Sequence, residues 1–109
     1  MPYRPIQHWG NSLWKYIHDI CIVDNSIPEE NVRQNSYALE CLKKIADVIP
    51  CHHCRQKWND NLLELDALDL TKSMVLFEWA WKMHNKVNDK LHKPIISYED
   101  ALEIYTKII

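Results

Sequence analysis

Two of the four cysteines, Cys51 and Cys54, stand in the run Pro50-Cys51-His52-His53-Cys54. A Cys-x-x-Cys pair has two chemical uses. It can supply half of a four-ligand metal site, or it can make and break a disulfide between its own sulfurs. The proline stops the helix before it and leaves the pair at the start of the next one, where the positive end of the dipole and unpaired N–H groups favour a thiolate. His52, His53 and Arg55 can add positive charge nearby. A structural zinc site would need a second ligand pair at defined spacing, and no second Cys-x-x-Cys or Cys-x-x-His occurs. Cys21 and Cys41 are single residues on helices, read as buried thiols, with a disulfide between helices one and two or a relay role as the sharper option. A thioredoxin-like site would need strands around the pair, and strand signals are missing. A dithiol outside such a sheet still needs an electron acceptor. An organic cofactor held among tryptophan, histidine and asparagine side chains would fill that role.

Two other stretches carry polar groups on apolar faces. In the first helix Trp14, Ile17, His18 and Cys21 recur at helical spacing, with Gly10 one turn before Trp14. That set reads either as a core stripe or as one wall of a ligand site. Further on, His84, Val87, Asn88 and Leu91 fall at i, i+3, i+4 and i+7. His84 and Asn88 would need hydrogen-bond partners on a buried face, which a ligand or the surrounding water at a helix end could supply.

The elements that must position these groups are helical. One glycine in 109 residues leaves little room for β-turns or Gly-rich phosphate loops. Helices are predicted at about 11–24, capped by Asn11 or Ser12 after an extended start, and at about 28–48, capped by Ser26 with Glu29 completing a capping box. Tyr37, Leu39, Cys41, Leu42, Ile45, Val48 and Ile49 supply the core side of the second. Further helices are predicted at about 51–60, 71–89 and 98–108, the last capped near Ser97, with 61–70 undecided between helix and loop. The sum is one domain, 1–109, of all-α class. A net charge of −2 without a basic stripe argues against a nucleic-acid surface. No stretch reaches the roughly 20 apolar residues of a membrane span, and the start lacks the apolar run of a secretion signal. An intracellular setting is therefore expected.

The set His8-Trp9-Gly10-x-x-Leu13-Trp14-x-x-Ile17-His18, then Pro50-Cys51-x-x-Cys54, then His84-Asn85-x-Val87-Asn88-x-x-Leu91-x-Lys93-Pro94 resembles the Erv/ALR family of FAD-dependent sulfhydryl oxidases. The resemblance implies a four-helix bundle with a short fifth helix cradling FAD. It implies that Gly10, Trp14 and His18 contact the cofactor, and that His84, Asn88, Leu91 and Lys93 hold its adenosine and phosphate part. Tyr105 lies where the family often has a tryptophan near the adenine. Cys51 would take electrons from a protein dithiol and Cys54 would pass them, as a thiolate, to FAD and then to molecular oxygen, giving hydrogen peroxide, with the chain as a homodimer. The family's second cysteine pair is replaced here by Trp81 and Tyr98, so packing must stand in for that disulfide. The chain also lacks a shuttle tail, as the minimal members of large DNA viruses do, which implies a host-cytoplasm or virion setting, with the mitochondrial intermembrane space as the alternative. The rivals are a disulfide-exchange protein without flavin and a small zinc-stabilised interaction module.

Overall fold

With so little glycine to break the backbone, the apolar period runs helically through most of the chain. The computed structural model describes residues 6 to 106, and side chains from residue 10. In order these are α1 (Ile6–Ile20), α2 (Pro28–Lys44), a 3₁₀ segment (Ile45–Val48), α3 (His52–Leu62), a second 3₁₀ segment (Leu63–Ala67), α4 (Val75–Lys90) and α5 (Tyr98–Thr106). No strand occurs among the described residues. The all-α bundle with a short fifth helix is therefore the observed architecture.

α1 packs against α2, α4 and α5, while α2 lies on α3 and α4 on α5. Ile17 of α1, Cys21 just past its end, Leu42 of α2 and Leu76, Phe77 and Ala80 of α4 meet at the centre and are sealed from solvent. Burying each Ile, Leu or Phe side chain contributes about 1.5–3 kcal/mol.

Several boundaries differ from the sequence expectation. α1 starts at Ile6, so Asn11 and Ser12 are exposed residues inside the helix and cap nothing; residues 1–5 lie outside the described part. It ends at Ile20, where the Cys21 and Ile22 N–H groups tighten onto the His18 and Asp19 carbonyls. α2 is capped by Ile27 without any side-chain bond, with Pro28 in its first turn, so Ser26 does not serve. The stripe facing the core is Asn31, Asn35, Ala38 and Leu42, continued by Ile45 and Ile49. Tyr37 and Val48, expected in the core, lie off that stripe and are 68% and 65% exposed. Counting apolar residues alone misplaced the face because its first two turns are asparagines.

Those asparagines have a structural task. Asn31 accepts from the Asn25 N–H at 2.9 Å and donates to the Asn25 and Thr71 carbonyls at 3.0 and 2.8 Å. Asn35 donates to the Leu70 carbonyl at 2.9 Å. They tie the start of α2 to the loop before α4, where Met74 takes a left-handed φ of 60° and gives its N–H to the Val23 carbonyl. The expected Ser97 cap is present, its Oγ accepting from the Asp100 N–H.

Candidate active site

Pro50 ends the preceding segment, and Cys51 becomes the N-cap of α3 with φ −98° and ψ 120°. Its Sγ accepts the Cys54 N–H at 3.2 Å, and its carbonyl accepts the Arg55 N–H at 2.9 Å. All four cysteines are free thiols. The Cys51 thiol is held below its ordinary pKa, first by the hydrogen bond from the Cys54 side chain and then by the Cys54 and His53 N–H groups and the Arg55 charge. Cys54 moves the other way, to about 11, through burial first and then through the bond to Cys51 and its charge. The helix start thus favours a thiolate at Cys51 over one at Cys54 in the reduced pair. A cap sulfur faces the free N–H groups, whereas Cys54 sits one turn in and faces the interior.

What Cys54 faces is a cleft of about 710 Å³ between α1, α3 and α4. Leu13, Trp14, Ile17, Ile49, Trp58 and Met83 are among the residues that line it, and Cys54 stands on its wall where Cys51 does not. Lys57 and Lys90 also line it, and their mutual approach depresses the Lys90 pKa. On the other side of Trp14 lies a second hollow of about 400 Å³ lined by Asn11, Lys15, Asp19, His84, Ile104 and Tyr105. Trp14 is the partition between the two.

The partition is braced by stacked rings. Trp14 lies on His84 at 4.1 Å and 7° between planes, and His18 lies on Tyr105 at 4.0 Å and 18°. The two imidazoles are joined by a 3.1 Å contact between His18 Nε2 and His84 Nδ1. Burial pushes both down to about 4, with repulsion between the two imidazoles adding to the effect at His18 and the Lys93 charge at His84. Both rings are therefore neutral at pH 7, so one nitrogen of the contact donates and the other accepts. His18 Nδ1 is buried with no partner among the described residues, a polar atom that a ligand could satisfy.

Of the residues expected to hold a cofactor, Trp14 lines both spaces, His84 and Tyr105 line the smaller, and Leu91 lines the larger. His18 and Gly10 are buried and line neither space. Asn88 is buried too, its side chain 3.5 Å from Asn85 Oδ1 and its carbonyl accepting the Lys93 N–H at 2.8 Å. The Lys93 side chain is exposed, beyond the end of α4. Lys57 and Trp58, absent from the sequence expectation, sit three and four residues after Cys54 and so share its helix face, a spacing that would have found them. Among the described residues no three His, Cys, Asp or Glu side chains converge as a metal site would require. Cys21 is fully buried, its thiol pushed up to about 12 by desolvation.

A bundle that carries a dithiol at a helix start, one sulfur at the surface and the other on an apolar cleft, defines the class of helical dithiol redox proteins. The model of the Erv1/Alr family matches residues 11–106, and the chain belongs to that family. An African swine fever virus protein named FAD-linked sulfhydryl oxidase is 29% identical over 102 residues, covering 94% of this chain and 83% of the relative. The yeast FAD-linked sulfhydryl oxidase ERV2 is 28% identical over 98 residues, covering 88% of this chain and 47% of that longer protein. The crystal structure of the yeast Erv1 core superposes with a TM-score of 0.70 at 20% identity, covering 96% of this chain and 86% of the other, which is a likeness of fold.

Proposed function

We propose that this single-domain chain is an FAD-dependent thiol oxidase that makes disulfides in protein substrates and passes the electrons to molecular oxygen. The observation that carries the reading is the division of the dithiol, with Cys54 on the cleft wall and Cys51 outside it. The residues present suit FAD. The apolar cleft with Trp14 and Trp58 accepts a flat ring system beside Cys54, the Lys57 and Lys90 ammonium groups accept a diphosphate, and the hollow with His84 and Tyr105 accepts an aromatic base. His18 Nδ1 and the Asn88 amide have hydrogen-bonding capacity left for it.

A substrate thiolate attacks the Cys51 sulfur of the Cys51–Cys54 disulfide, and Cys54 leaves. The second substrate thiol then attacks the mixed disulfide, releasing the oxidised substrate and Cys51 as a thiolate. Cys54 holds the remaining proton, since burial and the Cys51 charge both oppose its ionisation. While Cys51 is tied up in the mixed disulfide, its charge and its hydrogen bond are gone, and burial is the only cause left that raises Cys54. When bound, FAD supplies a two-electron acceptor that oxygen reoxidises, giving hydrogen peroxide. The protein's part is to aim Cys54 into the cleft and to keep water from its apolar walls.

The purified protein should be yellow with an oxidised-flavin spectrum and should consume oxygen with dithiothreitol. Colourless protein with stoichiometric zinc would overturn the reading. Cys54→Ser should keep the flavin and lose turnover; full turnover in that variant would remove Cys54 from the mechanism. We also propose a homodimer acting inside a cell, in the host cytoplasm or the virion if the source is a virus. Tyr16 and Tyr37 lie exposed on the α1 and α2 flank and give such a pairing apolar contacts, so light scattering should return twice the 13.0 kDa chain mass. No helix among the described residues is long and apolar enough to cross a membrane.

A further inference from the structure

Arg55 comes directly after the dithiol and reaches back over it. Its Nη2 donates to the Ile49 carbonyl at 3.0 Å, and its backbone N–H donates to the Cys51 carbonyl at 2.9 Å. The two bonds bracket Pro50, which has no N–H of its own with which to fix the chain at this corner. The guanidinium head is fixed in place: its Nε–H is buried and has no partner among the described residues. An orphaned buried donor on an ionised group is costly unless something else is gained.

We propose that Arg55 is a positioning residue of the dithiol: it anchors the Ile49-Pro50-Cys51 corner and keeps a fixed positive charge beside Cys51, so that Cys51 leaves and attacks as a thiolate. The inference rests on the reading of Cys51 as the substrate-facing sulfur. Other groups near Cys51 are accounted for. Cys54 and the His53 and Cys54 N–H groups act on it through hydrogen bonds, and among the described residues Arg55 is the one full charge acting on it through space. Lys43 and Lys44 at the end of α2, Asp47 on the next turn, and His52 and His53 on α3 are exposed to water. Reduction of the pair then takes up two electrons and one proton, leaving Cys51 as the thiolate and Cys54 as the thiol. Below the Cys51 pKa it takes up two electrons and two protons.

The pH at which this change occurs is measurable in two ways on the intact, flavin-loaded protein. One is the midpoint of iodoacetamide reaction with Cys51 in the reduced protein. The other is the break in the slope of the dithiol potential against pH, read with a glutathione couple. R55Q should raise both by about one pH unit and make the potential more negative, because the reduced form loses its charge partner. R55K, which keeps the charge, should recover at least half of the shift. Unchanged midpoints in R55Q, or a shift in R55K as large as in R55Q, would overturn the proposal. If R55Q does not fold, the R55K midpoint decides: a rise of less than about half a pH unit over the wild type supports the role of the charge, and a larger rise overturns it. None of these readouts needs turnover with oxygen, so an absent oxidase activity would count against the proposed function alone.

Discussion

Cys51 and Cys54 are three residues apart yet differ in everything that sets thiol reactivity. Cys51 occupies the cap, where N–H groups converge on it, and Cys54 occupies the first turn, where the chain turns its side chains inward. Alkylation should therefore separate them. At pH 7 iodoacetamide should modify Cys51 at least tenfold faster than Cys54, and peptide mass mapping of partly modified protein checks this; equal rates would contradict the division of roles. That the pair stands at a helix start was legible from the proline before it. Which sulfur carries the charge was not, because that depends on which of the two faces the free N–H groups and which faces the apolar interior. Lys57 and Trp58 were legible by spacing from Cys54, whereas the stack of Trp14 on His84 required knowing how α1 crosses α4.

At the scale of elements, two junctions hold α4 in register with the segment that leads into α5. Trp81 and Tyr98 meet edge to face at 5.4 Å, and the Trp81 indole donates to the Ile96 carbonyl at 2.7 Å while Asn85 ties Ile96 from both its N–H and its carbonyl. This is the packing expected in place of a disulfide. Trp81→Phe removes one of the two hydrogen bonds to the Ile96 carbonyl and reshapes the contact, and should cost about 0.5–1.5 kcal/mol in urea unfolding, since that carbonyl keeps its bond from Asn85. The other junction is the end of α4. His92 takes a left-handed φ of 59°, the Lys93 N–H bonds the Asn88 carbonyl and the His92 N–H bonds the Asp89 carbonyl. This is the helix-ending pattern that glycine usually fills. His92→Gly should therefore raise stability by up to about 1 kcal/mol, the relief of left-handed strain being partly offset by the greater freedom of glycine in the unfolded chain. A loss of stability would show that the imidazole makes a contact worth more than the strain. The helices were legible because their apolar period is strong, and Ser97 marked the start of α5, but Ile27 before α2 and His92 after α4 are not ordinary cap residues and gave no signal. The core face of α2 was misread for a related reason: Asn31 and Asn35 look like surface residues until the loop at 70–73 supplies their partners.

For the whole molecule, the two hollows lie on either side of a wall made by Trp14, and the buried imidazoles behind it are held neutral. Their pKa values near 4, against an ordinary 6.5, mean that the unfolded chain binds protons that the folded chain refuses. Stability should be level above pH 6.5 on this account and should fall as pH drops from 6.5 towards 4, a window that thermal melts at constant ionic strength would resolve. His84→Gln should flatten part of that slope. If FAD occupies both hollows, as proposed above, the same wall would govern its retention. A ligand that binds only the folded chain stabilises it by about 2.7 kcal/mol at a hundredfold excess over its Kd, which for a domain of this length raises the melting temperature by about 10–20 °C. Stripping FAD should therefore lower the melting temperature by that order, and adding it back should restore it. Trp14→Ala merges the two hollows and removes the stack on His84. It should weaken the flavin-free protein slightly and abolish most of the rise on adding FAD, because the ligand loses the surface that both of its halves rest on. Comparing the FAD-induced rise in the two proteins cancels the variant's own loss of packing. An undiminished rise in Trp14→Ala would mean that the flavin does not use the space on both sides of this residue.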